Sequence, residues 1–590
     1  MRASSFPAGV PLSPIPAQSF AQQPKVLAFQ PFCADTFAQA RARHVPVFLL
    51  IGDDIPCDSS LSLHLSERTV PVRLHPGERP DIELLCQRAG ELTSGEGALP
   101  LCALMTADAL PFLAAPLPPA GFPTDPSRLY AWLSHADRRY TQNLNACRAQ
   151  ALQVIRSFRA DTPSRLYSPR DAAHDLSRAL AAIEDKRSGG FGKIKTPLVC
   201  ALRFAQHAAE RGDKAMHGAL SRALDAMLSS VLYDPLDGGF FSATLTDDWR
   251  VFVPQKPIGI NAMLIPLLLG SGYRSEAIRV LDLLIDAFAL SGGALSPALY
   301  APLDTYRFTA EQACAALGSE NGLRACRLLG LLRQQTGQDP EVIPSRFSPI
   351  SEKSARAIDS EPVARYPKLP ASPIPEDSAF LRRALPVLLR ARTARTPQQP
   401  LPYVVTEHCA LAAAVLASCG KRLGEPRYIQ AAQRAVSFLI SRQHTGSMPQ
   451  ALPASISPCA ALHAQATCGA AAALALAQLS LGQIDGMEEY AHSGLRLLGA
   501  ALHAFVREDG LVMHTPKDSA AFFPRVPAVF DGELPSPAAL LVRALHIADQ
   551  LRPDAHYGEA VETIWRAAAP AAKAQPIACA ALIDAVTEKN

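Results

Sequence analysis

The sequence has little glycine for its length and an excess of proline. Its 590 residues contain 34 glycines and 51 prolines, whereas average usage would give roughly 41 and 30. Collagen-like and flexible-linker architectures need many glycines and are therefore excluded. Charged residues make up only 19% of the chain and hydrophobic residues 48%. Global disorder is thus excluded as well, and at least two folded domains are expected.

Strong net charge and long apolar runs are also lacking. The 57 Lys and Arg residues against 54 Asp and Glu residues give a net charge of +3 without a basic block, so no nucleic-acid partner is expected. No apolar run approaches the length of a membrane span, and the N-terminus lacks the apolar core of a signal peptide. The thirteen cysteines are scattered singly, which is typical of reduced thiols. Together these three features predict a cytoplasmic protein with no membrane partner.

The usual motifs of metal, nucleotide and serine-hydrolase sites are missing. The sequence contains no Cys-x-x-Cys, His-Glu-x-x-His or Gly-x-Ser-x-Gly, and no phosphate loop ending in Gly-Lys-Ser or Gly-Lys-Thr. The histidines weighed as metal ligands are separated, with no two expected on one helix face: His408, His463, His503, His514 and His546. No metal and no cofactor are therefore predicted.

The first part of the chain has the pattern of an α/β domain. Apolar runs at residues 46–51, 70–74 and 101–105 predict buried strands, and helical spacing is found at 32–44 and 82–92. Residues 1–24 are predicted to be disordered, and the domain is placed at residues 25–120. A proline-rich bridge at 116–126 then separates it from the remainder.

Residues 127–590 are overwhelmingly helical in pattern. Apolar residues recur at spacings of three and four, as at Leu176, Leu180 and Ile183, between short Pro, Gly and Asp turns. About ten to twelve helices would fit this span. The pattern favours antiparallel helical hairpins that close into a toroid, with an irregular insert near 337–375.

Cys57 is the candidate for thiol chemistry, because it follows a predicted strand at the start of a predicted helix. A redox disulfide needs a second cysteine three residues later, where Ser60 stands. Two interpretations stay open: a helix-start cysteine with Asp58 or Ser59 as the cap, or a reactive single thiol. Further along, the sequence predicts that Arg79 and Asp81 cap a helix and pair, and that Pro100 follows a cis peptide bond.

A series of short motifs runs in order along nearly the whole chain. The segments are 45–52, Cys57, 78–82, 95–101, Gly189-Gly190-Phe191-Gly192, Asp237-Gly238-Gly239-Phe240, Trp249, Lys256, Asn261 and 530–540. In this order they resemble the spermatogenesis-associated protein 20 family. That resemblance implies a thioredoxin-like domain fused to an (α/α)6 six-hairpin barrel similar to glycosidases and sugar epimerases.

The chain departs from the family pattern at both candidate centres. The family's Cys-His-Trp-Cys motif is replaced by Cys57-Asp-Ser-Ser60. In the family's Pro-His-Phe-Glu-Lys-Met-Leu-Tyr-Asp-Asn block, only the Lys and the final Asn are kept, as Lys256 and Asn261. The Trp-Asn expected near 407–408 and the Asp-Tyr-Ala expected near 464–466 are missing. The resemblance therefore implies a degenerate member.

Glycosidase chemistry would need two carboxylates across the scissile bond. The candidates at barrel loops are Asp237, Asp247, Asp248, Asp518, Asp531 and Glu533, with Asp248 and Asp531 as the acid and base. Turn and N-cap roles are the alternative for all of them. Trp249 is interpreted either as a stacking face for a sugar or as an aromatic that plugs the toroid. The glycines at 189, 190, 192, 238 and 239 are predicted to permit tight turns.

The sequence thus favours a binding or scaffold protein with a possible carbohydrate link, whose ligand is a glycan or another protein. Trp249, Lys256, Asn261 and Glu533 are its candidate binding residues. The alternative is an enzyme, either a monothiol oxidoreductase that uses Cys57 or a carbohydrate-active barrel that uses Asp248 and Asp531.

Overall fold

The computed structural model describes most of the chain. The described residues are 28–52, 55, 57–119, 124–158, 167–192, 194–331, 375–442, 449, 452–456, 466–518 and 524–588. The predicted disordered segment 1–24 and the predicted insert 337–375 lie outside the described residues, apart from the first residue of the helix that begins at Pro375.

A four-stranded mixed sheet organises the N-terminal part. Its strands are β1 (Val47–Ile51), β2 (Val70–Leu74), β3 (Leu101–Met105) and β4 (Pro111–Pro116), in the order β2-β1-β3-β4. β1 pairs parallel with β2 and antiparallel with β3, and β4 pairs antiparallel with β3. β1 to β3 agree with the predicted strands. β4 was not predicted, because it begins and ends with proline, which argues against a central strand. It is an edge strand of the sheet, where proline is tolerated.

Helices cover both faces of this sheet. They are α1 (Ala34–Arg43), α2 (Ser59–Arg68), α3 (Pro80–Ser94), α4 (Pro126–Gln142) and α5 (Leu144–Arg156). Successive side chains of a strand point to opposite faces. Val47 and Leu49 of β1 accordingly join the apolar cluster with α1 and α3, while Phe48 and Leu50 join the cluster with α2 and α4. The result is a three-layer unit.

The N-terminal unit extends further than the sequence predicts. Residues from 127 onward were assigned to the barrel, yet Leu129, Leu133 and Tyr140 of α4 and Cys147 of α5 pack in the cluster beneath the sheet. Their spacing predicts amphipathic helices but does not say which core these helices cover. The packing places the boundary near residue 158 rather than at 120–127.

Twelve of the described helices form a closed double ring. The inner helices are α7 (Val199–Glu210), α9 (Ile258–Gly270), α14 (Thr406–Leu423), α16 (Cys468–Gly482), α18 (Pro537–Leu551) and α20 (Ala580–Thr587). Each packs on the next in this order, and α20 packs on α7. The outer helices are α8 (Lys214–Ser229), α10 (Arg274–Asp286), α15 (Pro426–Ser441), α17 (Glu488–Phe505), α19 (Ala555–Ala574) and α6 (Pro169–Ile183). Each outer helix pairs with one inner helix, and α6 pairs with α20.

This ring is the predicted toroid of six hairpins. The inner helices α9 and α16 are buried on nearly every face, as expected for helices that are apolar all round. Ten to twelve helices were predicted for residues 127–590. This number fits the twelve helices of the barrel, but the described chain from residue 126 onward contains seventeen α-helices in all. The others are α4 and α5 on the sheet, and α11 (Ala310–Leu317), α12 (Ser319–Leu328) and α13 (Pro375–Arg395), which share a separate apolar cluster.

Five short strands join the loops at the ends of the barrel helices. β5 (Gln255–Pro257), β6 (Ala298–Tyr300) and β7 (Gln399–Pro400) form one antiparallel sheet, and β8 (Val404–Val405) pairs with β9 (Ser455–Ile456). In a hairpin array the inner helices run in the same direction and begin at one end of the barrel, which is called the mouth below. β5 and β8 lead directly into the inner helices α9 and α14, so they lie at the mouth.

The N-terminal unit docks on this end of the barrel. Val526, from the loop before α18, is buried in the apolar cluster of the sheet. Phe158 packs against Phe530 with ring centroids 6.1 Å apart, and His75 stacks on Tyr403 at 4.8 Å. Within the described residues, none of the helices combines the length and apolar content that crossing a bilayer requires.

Candidate functional site

Lys256 lies in a buried ion-pair network and not in an open binding site. Its Nζ is 2.7 Å from an oxygen of Asp234 and 2.6 Å from one of Asp237. Arg392 of α13 contacts the same two carboxylates at 2.7 Å and 2.9 Å. The cations hold the pKa of Asp237 well below its usual range, against its burial. Every charge here is already paired, so the geometry gives Lys256 and Asp237 a structural role.

Asn261 is likewise satisfied within the protein. Its Oδ1 accepts a hydrogen bond from the backbone N–H of Phe240 at 2.8 Å, and its Nδ2 donates to the carbonyls of Phe240 and Pro257. The side chain is fully buried. It fixes the Gly-Gly-Phe turn to the start of α9, and the geometry offers no polar atom of Asn261 to a ligand.

Trp249 is buried among the barrel loops and offers no open stacking face, which disfavours the first of its two predicted roles. It is 5% exposed, and its Nε1 donates a hydrogen bond to the carbonyl of Ser188 at 2.8 Å. Gly190 has φ of +72°, and a Cβ at this position would lie 2.7 Å from the indole ring. The glycine is therefore needed both for the left-handed turn and for the approach of the tryptophan. The ring faces are covered by protein.

The remaining predicted glycines and carboxylates lie in several different environments. Gly189, Gly192 and Gly238 have left-handed backbones, whereas Gly239 does not and instead lies against Leu283. Asp247, Asp248 and Asp518 are exposed. Asp248 pairs with Arg250 at 2.7 Å.

Asp531 is held in place by backbone groups. Its two oxygens accept hydrogen bonds from the N–H groups of Ser536 and Ala581, at 2.8 Å and 2.7 Å. Burial raises its pKa to about 6 despite these bonds. It therefore ties the starts of α18 and α20 together. Asp248 is exposed and pairs with Arg250, whereas Asp531 is tied to backbone groups, so the two carboxyls lie in different environments and their acid–base pairing stays a prediction.

Cys57 lies one residue before the cap of α2. Asp58 is the N-cap, and its carboxylate accepts a hydrogen bond from Leu61 N–H at 2.7 Å. The thiol is half-buried against the apolar cluster of α2 and α4. Asp58 thus takes the capping role that the sequence predicts. Asp53 and Asp54 lie outside the described residues.

In the Glu78-Arg79-Pro80-Asp81 segment the predicted ion pair is confirmed, but the predicted side-chain cap is not, because the N-cap residue Arg79 makes no capping hydrogen bond with its side chain. Arg79 precedes α3, Pro80 occupies its first turn, and Arg79 pairs with buried Asp81 at 2.7 Å. The Leu99–Pro100 peptide bond is cis. The segment leads from β2 into α3 on the side of the N-terminal unit that meets the barrel.

A group of titratable side chains that the sequence did not single out as a unit meets at this junction. It comprises Glu83 of α3, Glu407 and His408 of α14, His514 after α17, and Glu533 before α18. These five residues are called the mouth cluster. Two domains and three separate barrel segments contribute to it.

Gly77 brings Glu83 and His408 together. Its N–H donates a hydrogen bond to Glu83 Oε1 at 2.5 Å. On its other side, a Cβ at residue 77 would lie 3.1 Å from His408 Cε1 and 3.2 Å from Nε2. The imidazole of the barrel and the carboxyl of the N-terminal unit therefore flank a single glycine.

The first turn of α16 contacts both the Glu407 carboxyl and the backbone of His514. A Cβ at Gly469 would lie 1.9 Å from Glu407 Oε2, so this glycine leaves the space that the carboxyl occupies. The neighbouring Cys468 N–H donates to the backbone carbonyl of His514 at 2.9 Å. The His514 side chain is 4% exposed, and neither ring nitrogen has a hydrogen-bond partner among the described residues.

The environment of the mouth cluster disfavours charge on all five residues. Burial raises the pKa of Glu407 to about 7. Burial and the nearby charge of Glu533 raise the pKa of Glu83 to about 8, against the hydrogen bond from Gly77. Burial lowers the pKa of His408 and of His514 to about 4 each.

Glu533 is the member of the mouth cluster most open to solvent. The residue is exposed, yet surrounding protein raises the pKa of its carboxyl. Near neutral pH the cluster therefore combines protonated or partly protonated carboxyls with neutral imidazoles. Such groups both donate and accept hydrogen bonds.

Sequence reasoning named Glu533 as a binding residue and weighed His408 and His514 only as metal ligands. Glu83 and Glu407 were missed. The sequence did contain one signal, the Glu407-His408 pair at the start of an otherwise apolar, alanine-rich helix. Buried polar groups usually have hydrogen-bond partners, so such a pair indicates a polar site. As for metals, the described residues contain no group of three or more His, Cys, Asp and Glu side chains arranged to hold an ion.

The docking of the N-terminal unit predicts a specific effect at Gly77. Gly77 and Gly95 have φ of +82° and +83°, but only Gly77 has neighbours where a Cβ would stand. Both G77A and G95A introduce left-handed strain. We expect G77A to lower the free energy of unfolding by about 1–3 kcal/mol more, because the methyl group overpacks His408 and Val405. Urea unfolding measures the difference, and equal losses would refute the docked contact.

Comparison with known families identifies a relationship for the N-terminal unit. A family model described as "Thioredox_DsbH: Protein of unknown function, DUF255" matches residues 18–159. These limits agree with the boundary that the packing of α4 and α5 gives. A curated relative, the uncharacterized protein B0495.5 of Caenorhabditis elegans, is 21% identical over 258 residues. The aligned region spans 38% of this chain but only 33% of that relative.

Solved structures are similar to the chain at low sequence identity. A D-mannose isomerase aligns with a TM-score of 0.42 and 11% identity, over 71% of this chain and 97% of its own. Cellobiose 2-epimerase from Bacillus thermoamylovorans aligns at 0.38 and 10%, over 67% and 85%. A GH76 α-mannanase from Bacteroides thetaiotaomicron aligns at 0.39 and 8%, over 68% and 83%.

Proposed function

We propose that this protein binds a small polar ligand of the monosaccharide class in the mouth cluster, between a thioredoxin-like N-terminal domain and the helical barrel. The observation on which this rests is His514, a buried imidazole with two unpartnered ring nitrogens. The charge of Asp81 in the N-terminal unit acts on this imidazole, and the His514 backbone contacts the first turn of α16, against which the Glu407 carboxyl lies. Buried polar groups without partners are costly and are rare in native proteins. A ligand rich in hydroxyl groups would satisfy them.

The protonation states of the site support a polyhydroxylated ligand. A protonated carboxyl and a neutral imidazole each offer one donor and at least one acceptor. Hydroxyl groups also donate and accept, so a sugar can pair with each member of the mouth cluster without importing charge. The raised pKa values of Glu83 and Glu407 and the lowered pKa values of both histidines keep this pattern near neutral pH.

The ligand is small because the mouth is partly covered. The loop at Gly77 lies over the start of α14. From the other side, Leu534 reaches Gly259 in the first turn of α9, where a Cβ would lie 2.4 Å from a leucine methyl group. A polymeric chain would have to displace both contacts, whereas a single sugar would not. This favours a monosaccharide over the longer glycan that the sequence also allowed.

Binding is tested by calorimetric titration with a panel of monosaccharides. G469A is the matched perturbation, because its methyl group would displace only the flexible Glu407 carboxyl, and G499A is the control, because a Cβ at Gly499 meets open space. We expect at least one sugar to bind, and we expect G469A to weaken its binding about tenfold, the equivalent of losing about one hydrogen bond. Absence of binding by every sugar, or equal affinity in G469A and G499A, would refute the proposal.

A second candidate function is general acid–base catalysis on the bound sugar. The carboxyls of Glu407 and Glu83, with pKa values of about 7 and 8, lie beside imidazoles with pKa values of about 4. Pairs of groups whose pKa values are pushed apart are typical of acid–base sites. Incubation in D2O followed by proton NMR would detect deuterium at a sugar carbon. A sugar that binds but takes up no deuterium would refute catalysis and support binding as the only function of the site.

We further propose that the chain is a divergent relative of the spermatogenesis-associated protein 20 family and that it works in a reducing compartment such as the cytoplasm. The family model over residues 18–159 supports the thioredoxin-like half. The twelve cysteines of the described residues are free thiols, which fits a reducing compartment.

A further inference from the structure

The mouth cluster contains carboxyls but no cation to pair with them. Glu83, Glu407 and Glu533 make no ion pair with any Lys or Arg of the described residues. Arg79, four residues before Glu83, pairs with Asp81 instead.

Two other sets of buried carboxylates in the barrel do have cationic partners. The buried carboxylates Asp234 and Asp237, elsewhere in the barrel, have Lys256 and Arg392 as partners. Asp584 of α20 is paired with Arg543 at 3.0 Å and with His207 at 2.8 Å. The fold thus supplies cations to buried carboxylates at two other places and leaves the mouth cluster without one.

His514 is an independent indication that a group from outside completes the site. Its two ring nitrogens are buried and unpartnered among the described residues, and His408 Nδ1 is in the same condition. A neutral imidazole accepts a hydrogen bond through one nitrogen. A protonated amine has three donors and no acceptor, so it can serve an imidazole acceptor and two carboxylates at once.

We propose that the ligand of the mouth cluster carries a protonated amine, as an amino sugar does, and that Glu407 and Glu533 are its counter-charges. This inference rests on the proposed function, since it names the class of ligand for the same site. A ligand that bears a carboxylate or phosphate would meet three carboxyls with no cation and is disfavoured. A neutral sugar can bind the protonated carboxyls through hydrogen bonds alone, but only an amine supplies a counter-charge when these carboxyls ionise.

The experiment compares probes that differ in one substituent. Glucose, 6-amino-6-deoxyglucose and glucuronate differ only at C6, and glucosamine moves the amine to C2. Calorimetric titration of the full-length protein at about pH 7 should rank at least one amino sugar about tenfold or more above glucose, and glucuronate below it.

Proton linkage gives a second readout. A protonated amine binds the ionised carboxyls in preference to the protonated ones, so its binding should release protons. The affinity for 6-amino-6-deoxyglucose should therefore rise between about pH 6 and about pH 8, by up to about tenfold per pH unit. The affinity for glucose should not rise. Titration in two buffers of different ionisation enthalpy measures the released protons directly.

E407Q removes one counter-charge and keeps the shape of the side chain. It should lower the preference for the amino sugar over glucose about tenfold, whereas E489Q, at an exposed glutamate of α17, should leave the preference unchanged. If glucose binds as tightly as both amino sugars, or if E407Q leaves the preference intact, the amine is refuted while the sugar site stands. If no probe binds, the proposed function itself is refuted.

Discussion

Replacing Lys256 with methionine is expected to lower the free energy of unfolding by about 3–5 kcal/mol, the cost of breaking a buried ion pair from one side. Methionine fills similar space, but Asp234 and Asp237 would be left with Arg392 as the only cation among their described partners. Arg392 comes from α13, so the variant should also loosen the attachment of this helix. Urea unfolding followed by circular dichroism measures the loss.

R250M is the matched control for K256M. It breaks the exposed pair between Arg250 and Asp248, in which the arginine side chain is 55% exposed, and should cost at most about 1 kcal/mol. A second variant separates charge from packing. D234N combined with K256M should recover part of the loss, because it removes one uncompensated carboxylate. If K256M costs no more than R250M, the network does not stabilise the barrel.

Raising the pH from about 5 to about 8.5 is expected to destabilise the protein through the mouth cluster. The pKa values of Glu407 and Glu83 are about 7 and about 8 in the folded protein, above the ordinary glutamate value of about 4.5. Their protons are bound more tightly in the folded state. The stabilisation is therefore complete below the unfolded pKa and is lost as the pH rises through the folded values. The loss should be at least about 1.4 kcal/mol, the equivalent of one pKa unit.

The two histidines set the opposite limb of the same pH profile. The pKa values of His408 and His514 are lowered to about 4, so their contribution is present above the ordinary value of about 6.5 and is lost as the pH falls through 4. Chemical unfolding at each pH should thus give a maximum between the two limbs. E83Q and E407Q should flatten the alkaline limb, whereas E489Q should not. An alkaline limb that is flat in the unmodified protein would contradict the burial of these carboxyls.

Much of the fold could be predicted because its signals are local. Continuous apolar runs predicted β1 to β3, and apolar spacing of three and four predicted the helices of the barrel. The signals failed where one element can serve either of two cores. The apolar face of α4, with Leu129, Leu133 and Tyr140, covers the sheet and not the barrel. Nothing in its spacing distinguishes the two.

The functional site was harder to predict, because its residues are far apart in sequence. Lys256 stood out because it matches a motif of the resembled family. Arg392, which pairs with the same two carboxylates, is more than a hundred residues away from them and has no local motif. Glu83 and His408 meet only because the N-terminal unit docks on the barrel at Gly77. The family resemblance did not predict a site at residues 407–408, because the expected Trp-Asn is missing there.

The central claim is that the mouth cluster receives a small ligand that pairs with His514, and a crystal structure of the protein soaked with 6-amino-6-deoxyglucose tests it most directly. The account predicts density for one sugar between the two domains, with a ring nitrogen of His514 and the carboxyl of Glu407 within hydrogen-bond distance, about 2.7–3.2 Å. Density elsewhere with the mouth unchanged, or His514 nitrogens hydrogen-bonded to protein groups that close the site, would contradict it.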